Sequence, residues 1–378
     1  MWFAALLGAL AGIIAGLIPG LHTNLLAVLI GGMGFPVLES VIFLCAMAVS
    51  RSVVDAIPTT FLGYSDDVLA VSPSARLLKK GEGVLCARLL IAGALIGGVC
   101  CVVLVPVLIF IFPVLFSLIK GVLFWLLLGL VIFLLMRKKF FLSIIFFSLA
   151  GALGVVALFS LKEPLFPLLS GLFGASSLLF SIFSDSMVPV QKETAKLKGV
   201  ALPSFFGVIA ACFVTLFPGL SPSQGASLIS FRSSKNFLLV LGALGTADVV
   251  VSLVTFFALG KTRNGAVVIM DRLVDAVSFD LFLALIASSF LALGLSCFVA
   301  WFLSKKFAWV VEWCDARVLS SVVLSGIIVV SFVLSGWKGL IVLFCGASLG
   351  ILTQKLGVTK SHLMGALLIP TLINLFAL

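Results

Sequence analysis

The chain has 378 residues, 62% hydrophobic and only 10% charged, with a formal net charge of +10 and a mean hydropathy of +1.37. A soluble domain of this length is excluded by that composition, and a membrane β-barrel is excluded because the apolar runs are continuous and do not alternate with period two. The basic residues sit in short connections between apolar runs and form no basic domain, so the charge is a topology signal and no nucleic-acid partner is expected.

In chain order, "MWFAALLGALAGIIAGL" lacks a basic leader and a small-residue cleavage site and is expected to remain as a first helix. It is interrupted at Pro19, Gly20 and Leu21, after which come His22, Thr23 and Asn24. The following apolar segment contains Arg51 and, one turn later, Asp55, and continues to Thr60 and Phe61. The stretch 59–83 is polar in its middle, carries the single tyrosine and contains Pro73, which predicts a helical hairpin or re-entrant segment whose second helix begins near Asp66 and Asp67. Apolar runs then cover 84–118, 120–136, 140–161 and 165–184, and the lysine-rich "QKETAKLKG" (191–199) leads to a second series.

That second series repeats the order of features. A run from Val200 breaks at Pro218, Gly219 and Leu220, followed by Ser221, Ser223 and Gln224; Asp248 then lies midway between Asn236 and Gly260, and Thr255 and Phe256 follow. After the connection 261–280, which holds Lys261, Arg263 and Asn264, come runs at 281–304, 318–334, 338–352 and 361–378. The basic connections are 76–83 and 137–139 in the first half but 305–317 and 355–360 in the second, so equivalent loops face opposite sides. The expected fold is an all-α polytopic integral membrane protein of two inverted-topology repeats with discontinuous or re-entrant helices, each containing an odd number of crossings. The repeats are 1–190 and 200–378, joined by a cytoplasmic linker at 191–199. A multi-pass protein of the cell (plasma) membrane is expected, with both termini outside.

Non-helical backbone at membrane depth is tolerated only where protein covers it or a wet cavity receives it, and the two breaks are therefore the expected substrate site. Its residues are Pro19, Gly20, Leu21, His22, Thr23 and Asn24 with Pro218, Gly219, Leu220, Ser221, Ser223 and Gln224. An ionisable side chain within an apolar run costs roughly 2.5–3.5 kcal/mol on insertion scales, so Asp55 and Asp248 need a reason. The expected reason is ion coupling or gating, with Arg51, Thr60 and Thr255 beside them; a neutralised Arg51–Asp55 pair and a register-holding Asp248 are the plainer alternatives. Lys261, Arg263 and Asn264 are placed to attract an anion at the outer mouth or to form a solvated loop.

Eight scattered cysteines and two histidines give no metal spacing and no nucleophile set, so no cofactor, metal or catalytic residue is expected. The function expected is secondary active transport of small anionic solutes by alternating access, with a proton or sodium ion as the coupling ion and no enzymatic activity. Translocation of polyprenyl-phosphate or another anionic lipid is the alternative transport reading, and an intramembrane lipid enzyme a weaker one.

The paired Pro-Gly-Leu breaks at 19–21 and 218–220, the small-residue and aspartate segment after the first, and "ARLLKKGEG" (75–83) resemble the large membrane (permease) subunit family of tripartite tricarboxylate transporters, in a short form of the kind found in archaea. In that family a later segment commonly carries an Asp-Gly-x-Pro element; here "AVSPSARLLKKGEG" has Ser72, Pro73 and Ser74 in its place, with Gly81 or Gly83 standing for the glycine that closes the motif. The resemblance implies a permease for small carboxylates driven by an ion gradient, served by a small membrane subunit and a soluble binding protein.

Overall fold

A computed structural model of the chain describes residues 1–18, 36–62, 73–136, 139–183, 189–192, 197–217, 220, 224–226, 229, 233–274, 276–313 and 316–377. Among these the regular structure is helical, with no strand. Seven helical segments are long and apolar enough to cross a membrane, and four shorter apolar helices accompany them.

The first half comprises α1 (Trp2–Leu17), α2 (Val37–Val54), the short α3 (Ala56–Phe61) and α4 (Pro73–Lys79), then α5 (Gly83–Ile119), α6 (Leu123–Leu135), α7 (Phe140–Ser160), α8 (Leu165–Leu169) and α9 (Ser176–Phe183). A π-helical turn, Ser170–Ala175, joins α8 to α9. The second half comprises α10 (Ala201–Leu216), α11 (Ser234–Leu259), α12 (Gly265–Asp271), α13 (Phe279–Trp313), α14 (Ala316–Lys355) and, after a 3-10 turn at Lys360–Met364, α15 (Gly365–Ala377).

Helix directions follow from which residues meet. Gly8 lies against Phe43, and Gly12 against Met47 and Ser50, so α1 runs parallel to α2. Gly207 meets Val240 and Ala243, and Thr215 reaches Asp248, so α10 runs parallel to α11. Cys45 and Ser50 of α2 bond the carbonyls of Leu285 and Ala292, making α2 parallel to α13, while Gly93, Gly97 and Cys101 of α5 meet Leu239, Ala243 and Ala247 of α11 in the same sense. Gly98 touches Leu293, and Arg88 covers Trp301, so α5 and α13 cross antiparallel. The helix pairs therefore exchange between halves: α2 packs on α13 and α11 on α5. Corresponding members, α1 and α10, α2 and α11, α5 and α13, run in opposite directions.

The long α14 is two arms. Ser320 meets Ser181 and Ser335 bonds the carbonyl of Glu163, whereas Gln354 and Lys360 return to Ser176 and Ser177. A straight rod from 320 to 354 would be about 50 Å long at 1.5 Å per residue and could not return to α9. The reversal is at Gly336, whose φ of 60° and ψ of −158° are accessible essentially to glycine alone. The runs expected at 318–334 and 338–352 are these two arms. Among the described residues, the elements that run between the two ends are α2, α5, α6, α7 and the α8–α9 unit in the first half, and α11, α13, the two arms of α14 and α15 in the second.

These directions sort the charges. One end gathers Arg76, Lys79, Lys80, Lys192, Lys198, Lys235, Lys305, Lys306, Arg317 and Lys355 against Glu82 and Glu312. The opposite end mixes Lys120, Lys162, Lys261, Arg263, Arg272 and Lys338 with Glu39, Glu163, Asp271 and Asp280. The described part of the linker is docked at the basic end: the Lys192 N–H donates to Gly81 O at 2.8 Å, Gln191 Oε1 accepts from the Gly83 N–H at 2.6 Å, and Glu312 Oε1 accepts from the Gln191 N–H at 2.7 Å. Trp2 and Phe376 both lie at the end opposite.

Close helix approach holds the crossing of α5 with α11, where a Cβ on Gly242 would overlap the Leu90 carbonyl and one on Gly93 the Leu239 carbonyl. By contrast, a Cβ on Gly129 of α6 would meet nothing within 4 Å. Gly242→Leu should therefore destabilise by at least the roughly 1–3 kcal/mol typical of overpacking, while Gly129→Ala should leave the melting temperature unchanged or slightly raised; thermal denaturation in detergent compares the two.

Candidate functional site

Both breaks end a helix in the same way. After α1, Ile18 takes φ −100°, ψ 106° and its N–H reaches back to Ala15 O; after α10, Phe217 takes φ −108°, ψ 110° and its N–H reaches back to Val214 O. Each is the residue before a proline, Pro19 or Pro218, which is sterically driven out of the helical region, and each proline removes the donor that would have continued the ladder.

The ends lie within the bundle. Gly16 packs on Val54 and the Arg51 carbonyl, with α3 continuing beyond, and Thr215 lies beside Asp248, from which α11 continues to Leu259. Pro19, Gly20, Leu21, His22, Thr23 and Asn24, and likewise Pro218, Gly219, Ser221 and Ser223, lie outside the described residues. Of the expected substrate site, Leu220 is buried, and buried Gln224 donates from Nε2 to Ser361 O at 3.2 Å, tying the second break to the 3-10 turn before α15.

A carboxylate node stands beside the second break. Asn264 caps α12, its Oδ1 accepting from the Ala266 N–H at 3.0 Å, and its Nδ2 donates to Asp248 Oδ2 at 2.9 Å. Thr215, two residues before Phe217, has Oγ1 at 2.8 Å from Ala211 O and 3.4 Å from Asp248 Oδ1, two acceptors for one proton. One side chain thus links the end of a broken helix, the middle of a through-running one and the start of a third. The described partners of Asp248 are thus two hydrogen-bond donors, the Asn264 amide and the Thr215 hydroxyl. Among the described residues no group of three His, Cys, Asp or Glu is disposed to hold a metal.

Asp55 is half-buried at the joint between α2 and α3, with the Arg51 charge acting on its carboxylate, as their spacing predicts. The two aspartates are not brought to one level. Ser50 and Gly98 meet adjacent residues of α13, Ala292 and Leu293, and Gly98 also meets Thr246. From that central level Asp55 lies five residues towards the basic end and Asp248 two residues away from it, an axial offset of roughly 10 Å at helical rise. Thr60 and Thr255 are buried and direct their hydroxyls to their own helices, at Ala56 O (2.6 Å) and Ser252 O (3.0 Å).

At the end opposite the basic one, Lys261 stands over the Phe116 ring at 3.9 Å; desolvation, then Arg263 and Lys120, hold its ammonium below the usual lysine range. Lys360, which the sequence groups with a basic connection, is instead drawn in against the π-helical turn: its Nζ donates to Ser176 Oγ at 3.1 Å, to Ser177 Oγ and to Phe173 O at 3.4 Å. The sequence signal for that placement is small, a lysine directly before the last apolar run.

Residues 2–365 match the family model described as the tripartite tricarboxylate transporter TctA family. The chain belongs to that family. The TctA family match spans both breaks and almost every described helix. An uncharacterized protein of Methanocaldococcus jannaschii is 25% identical over 241 residues, covering 59% of this chain and 60% of that protein, so the chain spans about three fifths of the length of the curated relative it matches. No solved structure matches.

The double use of Asn264 can be separated experimentally. Asn264→Ala, which loses both the cap and the bond to Asp248, should cost about 1–2 kcal/mol; Asn264→Ser, which keeps a capping oxygen, should cost about half as much. Equal melting temperatures for the two variants would show that the Asp248 bond carries the whole effect.

Proposed function

We propose that this TctA-family chain is a permease that moves small carboxylates across the cell membrane by alternating access, coupled to a proton or sodium gradient. Two helices that stop inside the bundle at matched extended residues, Ile18 and Phe217, are the observation that carries this reading. A helix that stops at membrane depth needs a polar partner that lipid does not supply, and a hydrated anion site gives it one.

The two halves, 1–190 and 200–378, are proposed to be inverted repeats. Opposed directions of α1 and α10, α2 and α11, and α5 and α13 support this, as does the reciprocal packing of α2 on α13 and α11 on α5. The substrate's carboxylates would meet the segments 19–24 and 218–224. Asp248 with Thr215 and Asn264 would set the position of the second segment, and Arg51 with Asp55 would flank the first. By the excess of lysine and arginine, the end bearing the 191–199 linker is assigned to the cytoplasm, which puts residues 2 and 376 outside. A small membrane subunit and a soluble binding protein are the partners that the tripartite family description suggests.

Purified protein in liposomes should accumulate labelled citrate or a dicarboxylate under an imposed proton or sodium gradient. Gly20→Trp and Gly219→Trp should each reduce uptake at least tenfold while inserting normally. Unchanged uptake in both variants, or movement of polyprenyl phosphate with no carboxylate flux, would overturn the reading. Cysteine labelling in intact cells checks the orientation: a cysteine at Lys192 should be shielded from impermeant reagent, and one at Lys162 should react.

A further inference from the structure

At the basic end a cleft of about 400 Å³ opens between the start of α5, the end of α13 and the docked linker. Arg88, Lys192 and Lys305 line it, with Glu312 as its carboxylate and Ala308 and Trp309 as its apolar flank. One oxygen of Glu312 already accepts the Gln191 N–H at 2.7 Å, and the cleft keeps a net positive lining. Arg88 is half-buried and set back from the helix start, its guanidinium 4.7 Å from the Trp301 ring centroid, an arrangement that fixes the plane of the fork. Lys192 and Lys305 are exposed at the rim.

The aromatic flank distinguishes this cleft from a simple anion patch. Trp309 and Trp313 pack with tilted rings, their centroids 5.5 Å apart, and are 59% and 76% exposed, although each is large and apolar. Indoles at the end of a crossing helix mark the headgroup level of a bilayer, where an apolar body and a polar N–H are both accommodated. Cationic side chains set between crossing helices at that level complement a phosphodiester, and the indole face complements the acyl chains attached to it. A second groove at the same end, bearing Arg76, Lys79, Lys80 and Lys235 with Glu82 as its carboxylate, also keeps a net positive lining.

We propose that this cleft binds the headgroup of an anionic phospholipid, with the phosphodiester against Arg88, Lys192 and Lys305 and the chains along Trp309. The occupant would bridge α5 of the first half, α13 of the second and the linker, so its binding would clamp the two halves at their seam. A phosphodiester also occurs on soluble molecules, and the apolar flank is what assigns the lipid source.

The test uses the full chain, delipidated in detergent and melted with dioleoyl-phosphatidylglycerol, dioleoyl-phosphatidylcholine or glycerophosphate. Phosphatidylglycerol should raise the melting temperature by several degrees, phosphatidylcholine should not, and glycerophosphate should have little effect. The Lys192→Gln/Lys305→Gln double variant, changed only at exposed positions, should lose most of that shift, and the Lys162→Gln/Lys338→Gln control at the other end should keep it. Equal shifts from both lipids, a full shift from glycerophosphate alone, or an unaltered shift in the Lys192/Lys305 variant would each overturn the proposal.

Discussion

Inside a bilayer a backbone N–H or C=O without a partner costs several kcal/mol, and this requirement governs the whole molecule. Continuous helices meet it without help, which explains why nearly every described residue is helical. A helix that ends at depth meets it only with neighbours, and α1 and α10 each end against the helix that follows them, α2 and α11. The small residues Gly8, Gly12 and Gly207 let the paired backbones come close, and Gly16 near the end of α1 packs on Val54 and the Arg51 carbonyl.

The same requirement explains the polar side chains that the core retains. Asp248 is expensive at its depth, and its two oxygens are met by Asn264 and by the hydroxyl of Thr215. Thr60 and Thr255 return their hydroxyls to carbonyls of their own helices about one turn earlier, whereas the buried hydroxyls of Ser170, Ser252 and Ser331 have no hydrogen-bond partner among the described residues. The polar groups of Asp248, Thr215 and Asn264 are gathered beside the end of α10.

Much of this was legible in the sequence because proline and charge act locally. Pro19 and Pro218 set the preceding residue extended, and the described lysines and arginines of the basic connections collect at one end of the helices. The Arg51–Asp55 spacing likewise gave a pair one turn apart. Other features depended on distant partners. Asn264 reads with Lys261 and Arg263 as part of an anion-attracting or solvated connection, and nothing in its neighbourhood announces that its amide reaches Asp248, sixteen residues earlier. Lys360 counted with the loop charges, although the serines that hold it lie on α9, far away in sequence. The axial offset between Asp55 and Asp248 follows from helix levels that no spacing within either segment encodes.

The π-helical turn at Ser170–Ala175 has a consequence for the last third of the chain. Its extra residue turns everything after it by about 100° relative to a regular helix, and that rotation aims Ser176 and Ser177 at Lys360. Deleting one residue of this bulge would swing both hydroxyls away and deprive the Lys360 side chain of them, so one surplus residue and one distant lysine act as a single structural unit.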